Sequence, residues 1–503
     1  MALNIGFIGA SRLAEAGQPA AAPYAEQLAD RLYRAFGETA TCFRLFPESL
    51  APSAFRHELV RLADEGRIQL LVVTDPFDAA VQDRLPSCLP DGVRLAVYVH
   101  DLLPLRAGTH ADAGFGRWAD GYECLLELLR RADLVWTSHE AARLEAALYA
   151  GIAPSRVHVI RAGLNPAFRT SAAADRSRLQ QRYGIAGRYL LASGDMPYRS
   201  GLAAATAVFA EVRRRCGSDL QLIWIDLEAA DGRRCRRLAR RIGADGLVTL
   251  EGPVPDEELA ALYDGAELLL HPAQYEGFAF APLLAAVCGT PVLASDNGTL
   301  RELCGDAAVY ADPSDIRAMA DAAARMLESP ADRLSDAGRK LVRRYSWAHV
   351  IREAAQSAGR LTYSMTLQPS RYRQAAAAGE AALFSFSPGV LPRGAVLTEA
   401  VLKLPAAAGV EVRLHGVESG WTCGTHDTTL PRSIGRKPLF ASAASSGGGA
   451  DGRQEAEWRC TALVARWLAD PASNRGLLAT GLRRDEAPAL VLRYGCLPGP
   501  SAP

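Results

Sequence analysis

The sequence predicts an α/β protein: two doubly wound parallel-sheet domains facing each other across a cleft, followed by an all-β sandwich. Three observations carry that expectation. The chain is 503 residues long, strand and helix patterns alternate twice through about its first 360 residues, and helical periodicity fades after Tyr363. At roughly 100–200 residues per domain, this length allows about three domains. A hydrophobic share of 49% and a charged share of 22% are those of an ordinary globular chain and exclude extensive disorder or coiled coil. Lys plus Arg and Asp plus Glu both total 56, a balance that argues against nucleic acid as the main partner.

In chain order, Asn4–Gly9, Ile68–Thr74, Leu95–His100, Leu134–Thr137 and Val157–Ile160 read as buried strands, with helical patterns such as Tyr24–Phe36 and Tyr122–Arg131 between them. A second series runs through Tyr189–Ser193, Leu220–Ile225, Gly246–Leu250, Glu267–His271, Pro291–Ala294 and Ala308–Tyr310. Short apolar runs separated by amphipathic helices make βαβ units and therefore parallel sheets. Beyond Tyr363, short alternating strands follow at Ala382–Phe386, Val396–Leu404, Val410–Val417, Gly476–Thr480 and Ala489–Tyr494, with Ala441–Gly449 as a flexible low-complexity loop. That spacing is the pattern of a sandwich.

The N-terminus lacks the basic start and long apolar core of a signal peptide. No run of about 18 uncharged apolar residues predicts a membrane span. Ten scattered cysteines without a CxxC pair predict reduced thiols that act as small buried hydrophobes in a cytoplasmic setting. Cys423, Cys460 and Cys496 share one C-terminal segment, where a disulfide stays open as an alternative.

The chemistry concentrates in His271–Asp312. A strand ends at His271, a loop holds Glu276, Gly277 and Phe278, and Pro282 is expected to open a helix that Gly289-Thr290-Pro291 ends. A helix N-terminus offers unpaired N–H groups and partial positive charge, which suit a diphosphate. Glu276 at its mouth is placed to accept hydrogen bonds from sugar hydroxyls. Elsewhere, Val97–Leu105 (VYVHDLLPL) sets His100 at a strand end facing the cleft, and Leu191–Leu202 (LASGDMPYRSGL) carries Arg199. Gly9-Ala10-Ser11 follows the first strand, as glycine-rich turns do in any doubly wound fold. The basic run Arg233–Arg241 reads as a solvated helix face, since no aromatic residues interleave it. No HExxH, GxSxG or Walker sequence competes.

These segments resemble family 4 glycosyltransferases of the GT-B fold, over about the first 360 residues. The resemblance implies a Rossmann-like acceptor domain at 1–170, a Rossmann-like nucleotide-sugar donor domain at 171–362 and an accessory β-sandwich at 363–503. Glu276 matches the first residue of the family's paired-glutamate motif, which contacts the donor sugar; Leu284 stands where the second, ribose-binding glutamate belongs. The N–H groups around Gly277, Phe278 and Ala279, together with Arg199, are implied to hold the donor diphosphate, with Ser200 replacing the usual second cation. Asn297 and Gly298 can reach the donor phosphate or sugar.

The VYVHDLLPL stretch looks like that of bacterial mannosyl- and rhamnosyltransferases. By that likeness His100 lies beside the donor sugar, and Asp101 supports it or contacts the acceptor. Ser138–Phe168 resembles the family's segment leading into the interdomain linker, with Ser138 as an expected helix N-cap and His139 and Glu140 near the cleft. Residues 364–494 look like a DNRLRE-type sandwich related to carbohydrate-binding modules, with Trp458 and Trp467 expected in its core and Trp421 exposed in a turn.

Taken together, the resemblance implies a metal-independent, retaining hexosyltransferase with no resident cofactor, using a nucleoside diphosphate sugar (GDP-mannose as the leading choice). Its partners are then a nucleotide sugar and a glycan or lipid-linked acceptor in polysaccharide biosynthesis, with peripheral membrane contact through that acceptor. Leu284, Ser200 and the appended sandwich motivate an alternative, a catalytically degenerate GT-B scaffold that binds glycans.

Overall fold

The structure is a computed structural model. It describes residues 3–8, 24–38, 40–45, 51–65, 67–78, 81, 85, 89–90, 92–100, 102, 116–169, 176–194, 201–217, 219–227, 229–252, 254–274, 276–328, 336–375, 381–387, 391, 395–406, 411–417, 440–443, 455–474, 477–480, 482 and 487–495.

The first sheet contains β1 (Leu3–Ile8), β2 (Ala40–Leu45), β3 (Leu70–Val73), β4 (Arg94–Val99), β5 (Leu134–Thr137) and β6 (Val157–Val159), all parallel, in the order β2-β1-β3-β4-β5-β6. The second contains β7 (Tyr189–Ser193), β8 (Gln221–Leu227), β9 (Leu247–Glu251), β10 (Leu268–His271), β11 (Val292–Ser295) and β12 (Val309–Ala311), also parallel, ordered β12-β11-β10-β7-β8-β9. Helices cover both faces, so β3 (LLVV) and β5 (LVWT) are buried at every position. All the strands expected in these two series are present. Strand β2 is an addition to the expected set, and its pattern is one buried residue followed by exposed and half-buried ones. As the outermost strand it has a weak apolar run.

Two antiparallel sheets follow. One joins β13 (Thr362–Leu367), β21 (Ala489–Gly495), β16 (Val396–Pro405) and β19 (Glu455–Arg459) in that order. The other joins β14 (Arg371–Ala375), β15 (Ala381–Ser385), β20 (Leu477–Thr480), β17 (Glu411–Gly416) and β18 (Phe440–Ala443). Their shared core includes Phe384, Leu402, Leu414, Leu477, Leu492 and Trp467, which fills the interior as expected, while Trp458 is half-buried and packs against that core. Ala441–Gly449 needs correction. Its first three residues belong to β18, because Ala441 pairs with Arg413 and Ala443 with Glu411. Trp421 lies outside the described residues.

The chain crosses back on itself to bind these parts together. Helix Trp347–Ala358 follows the second sheet, yet Trp347, Val350, Ala354 and Ala358 share a core with Leu3, Phe7 and Phe36 of the first. Trp136 donates its indole N–H to Ser357 Oγ at 2.8 Å, and Arg161 pairs with Glu353. The sandwich is tied to the same place: Tyr494 is fully buried in that core, and Gln69 Nε2 donates to its hydroxyl at 2.6 Å. Among the described residues no helix is long and apolar enough to cross a membrane. The described cysteines are all free thiols, and Cys88, Cys423 and Cys496 lie outside the described residues. The basic run falls on helix Ala229–Ile242, where Arg233, Arg237 and Arg240 are exposed.

Two outcomes check this description. Gly201 has φ +69°, and a Cβ there would run into the Pro272 carbonyl oxygen, whereas a Cβ at Gly298 meets nothing within 4 Å. Gly201→Ala should therefore cost at least roughly 1–3 kcal/mol and visibly lower the melting temperature, while Gly298→Ala stays within about 0.5 kcal/mol. Burial pushes the thiols of Cys304 and Cys460 up to about 12. Because only the thiolate alkylates, iodoacetamide at pH 8 should leave both unmodified in the native protein and label both after denaturation, read by peptide mass.

Candidate functional site

The site is assembled at the carboxyl ends of β4 and β10, where doubly wound sheets hold their ligands. Strand β10 reads LLLH and is buried throughout, so its last side chain, His271, is a polar group in an apolar setting. Its Nε2 lies 2.8 Å from Glu276 Oε1, with the two side chains only 5% and 10% exposed. Glu276 is a residue the sequence marks for the site; His271 is not. The available signal was a histidine closing an otherwise all-leucine buried strand, five residues ahead of the carboxylate.

After Glu276 the chain enters helix Phe280–Cys288. This start precedes Pro282, which was expected to open the helix. The proline instead sits inside the first turn, where a missing N–H leaves no intrahelical bond unmade. Ala279 is the N-cap and supplies no side-chain cap, so the first-turn N–H groups have no partner from their own cap residue. Gly289 ends the helix as expected, and its φ of +84° puts that end in the left-handed conformation. Gly277, Phe278 and Ala279 are buried.

Aromatic rings join this loop to the first sheet. Phe278 stacks on His100 with centroids 5.3 Å apart and planes at 24°. Phe280 meets His100 edge-on at 5.5 Å and Phe278 at 4.7 Å. Tyr24 approaches His100 at 4.8 Å and Phe280 at 5.4 Å, and stacks on Trp347 at 5.5 Å. Tyr98 Oη lies 3.0 Å from His100 Nδ1. Burial raises the Tyr24 phenol far above its ordinary range, against the opposing effect of the Gly163 N–H, which donates to its oxygen at 3.0 Å; Tyr24 therefore stays neutral.

Ser138 is not the N-cap it was expected to be. Its hydroxyl donates to the His100 carbonyl at 2.7 Å and lies 2.8 Å from His139 Nδ1. His139, the residue in the cap position, gives the helix no side-chain cap bond. The helix Glu140–Ala150 is capped from the other sheet's side of the cleft: the N–H groups of Glu140 and Ala141 donate to Glu302 Oε1 and Oε2 at 2.6 and 3.1 Å. A carboxylate at a helix N-terminus meets both the orphan donors and the positive end of the helix dipole, so no serine is needed there. His139 is buried, 6.1 Å from Phe278 between ring centroids, and Glu140 is exposed.

Asn297 caps helix Gly298–Cys304, its Oδ1 accepting the Leu300 N–H at 2.9 Å. Its Nδ2 is buried without a hydrogen-bond partner among the described residues. Half of this carboxamide is thus committed to the fold, and Gly298 is exposed beside it. Leu284 packs against the core of the second sheet. The charge of Glu276 adds to burial in raising the Cys304 thiol. Asp101, Arg199, Ser200 and Gly9-Ala10-Ser11 lie outside the described residues.

Two parallel doubly wound sheets with a returning C-terminal helix make the GT-B architecture. Solved structures of this shape include HepE from Anabaena, in complex with UDP and glucose, with a TM-score of 0.52 and 17% identity over 71% of this chain and 100% of that one. Sucrose-phosphate synthase from Thermosynechococcus elongatus has a TM-score of 0.53 and 19% identity, over 70% and 98% of the two chains.

Residues 175–341, which hold Glu276, Asn297 and Glu302, match the family model described as Glycosyl transferases group 1. Among curated proteins, the MMP alpha-(1->4)-mannosyltransferase of Mycolicibacterium hassiacum is 28% identical over 242 residues, 46% of this chain and 56% of its own length. The O-antigen chain mannosyltransferase B of Escherichia coli is 40% identical over 96 residues, 19% and 24% of the two chains. The chain thus spans well under two thirds of either relative.

Removing the cross-cleft cap has a local signature. Glu302→Ala should weaken the start of helix Glu140–Ala150 by about 1 kcal/mol, seen as faster hydrogen exchange at its amides. Unchanged exchange there would show that the Glu302 contact contributes nothing.

Proposed function

We propose that the protein is a retaining glycosyltransferase that moves a hexose, with mannose first, from a nucleoside diphosphate sugar to a glycan or lipid-linked acceptor. The observation that carries this reading is the meeting of His100 and the Glu276 loop through the Phe278 stack, at the carboxyl ends of facing parallel sheets. The group 1 match over residues 175–341 and the mannosyltransferases among the relatives support it. So does the HepE fold, solved with UDP and glucose.

In this reading Glu276 accepts from the donor sugar's hydroxyls, and His100 lies against the same sugar. Arg199 and the N–H groups of Gly277, Phe278 and Ala279 take the diphosphate. A guanidinium and a helix N-terminus both favour that anion. Asn297 and Gly298 border the same end of the donor, while Asp101 supports His100 or meets the acceptor. No resident cofactor or metal is required: the acceptor hydroxyl attacks from the leaving group's own face and the departing diphosphate takes its proton. The protein's part is then to position two sugars and to stabilise charge developing on the diphosphate. We place the reaction in polysaccharide biosynthesis in the cytoplasm, touching the membrane through the acceptor. The sandwich, which resembles carbohydrate-binding modules, would hold the growing glycan.

Leu284 favours a second reading, a GT-B scaffold that binds glycans without turnover, because an apolar side chain packed in the core stands where a ribose-binding glutamate belongs.

A thermal-shift screen against GDP-, UDP-, ADP- and dTDP-sugars without added metal separates the two. Ligand at about 100 times its Kd stabilises the native state by about 2.7 kcal/mol, so one nucleotide sugar should raise the melting temperature, and Glu276→Ala should abolish that rise. With the donor so identified, Glu276→Ala should lower turnover by about 100-fold or more while the protein remains folded. No shift with any donor at millimolar concentration supports the scaffold.

A further inference from the structure

Strand β10 ends on a histidine that the proposed chemistry does not use. Three preceding leucines and His271 itself are buried, and an imidazole in such a place costs free energy unless its polar atoms are satisfied. A histidine kept only to support the fold is expected to use both ring nitrogens. His271 does not. Among the described residues its Nδ1 is buried without a hydrogen-bond partner, and its Nε2 lies 2.8 Å from Glu276 Oε1. A ring that leaves one edge unsatisfied and turns the other toward a carboxylate is arranged around that carboxylate. With a proton on Nε2, the ring donates to Oε1, since a carboxylate oxygen accepts.

The main chain holds the ring's base firmly. His271 lies in register with Ala294 of β11, and Ser295 Oγ donates to its carbonyl oxygen at 3.5 Å. Glu276 stands on a loop, and a loop carboxylate samples several rotamers unless something fixes it. The histidine transmits the rigidity of the sheet to that carboxylate.

We propose that His271 is a positioning residue that fixes the Glu276 carboxylate for its contact with the donor sugar. This inference rests on the reading that Glu276 meets that sugar. His271 acts through Glu276 and touches neither substrate.

The test is a double-mutant cycle in the full chain, using the donor identified by thermal shift. His271→Leu should lower kcat/KM for the donor by about 10- to 100-fold, the scale on which small misplacements cost rate, with the acceptor KM unchanged. His271→Gln keeps an N–H donor at similar reach and should recover part of that loss. The variant H271L/E276Q should be no slower than E276Q alone, since residues that act as a unit are not additive. Where H271L fails to fold, His271→Asn, whose amide is too short for the carboxylate, takes its place. Wild-type kinetics in H271L overturn the proposal, as do losses that multiply in the double variant, the mark of a merely structural histidine. An E276Q single variant with wild-type turnover overturns the Glu276 reading itself, an outcome distinct from the other two.

Discussion

The stacked rings of Phe278 and His100 couple the loop that follows β10 to the end of β4 in the other sheet, and the geometry of the site follows from that contact. Phe280, Tyr24 and Tyr98 extend it into one aromatic bridge. Each such pair contributes about 0.5–1.5 kcal/mol beyond its buried area, so the bridge outweighs the exposed ion pairs nearby, such as Arg143–Glu140, worth about 0–1 kcal/mol each. The loop that carries Glu276 is thereby held against the first sheet as well as suspended from the second. Trp347 stacks on Tyr24 and opens the helix that returns to the first core, so the bridge and the crossing helix brace the same region.

Around this apolar connection the polar contacts are directed. Glu302 reaches across to cap helix Glu140–Ala150, and Ser138 ties the start of that helix to the His100 carbonyl. Tyr98 meets the His100 ring, and His271 meets Glu276. The bonds of Ser138, Tyr98 and His271 lie away from the surface, where a bond is worth more and an unmet partner costs more. The sandwich joins the assembly through Tyr494, whose burial in the first core makes the last strand of the chain part of the N-terminal sheet's packing.

Much of the fold was legible in the residues. Parallel strands buried on both faces appear as unbroken apolar runs, which is why LLVV, LVWT and LLLH marked their strands closely, while the partly exposed β2 did not. In the sandwich, the strands with strong alternation were readable; β13, β14, β18 and β19 were not. Pairing partners far away in sequence make strands of such segments, and local pattern cannot weigh partners it does not contain. The helix that starts at Phe280 escaped for the opposite reason: proline is tolerated anywhere in a first turn, so Pro282 marks the turn without marking its first residue.

The sequence by itself determined the two α/β series, the loop with Glu276 after an apolar strand, the helix end at Gly289 and the histidine at the end of β4. Those features depend on local rules of burial, backbone sterics and helix termini. Only the tertiary structure decided that His271 holds Glu276, that Glu302 and not Ser138 caps the helix after β5, and that Phe278 closes on His100. Each of these is a contact of short range between groups whose directions are set by strands and helices elsewhere. Residue type records what such groups can bond to; packing alone settles which of them meet.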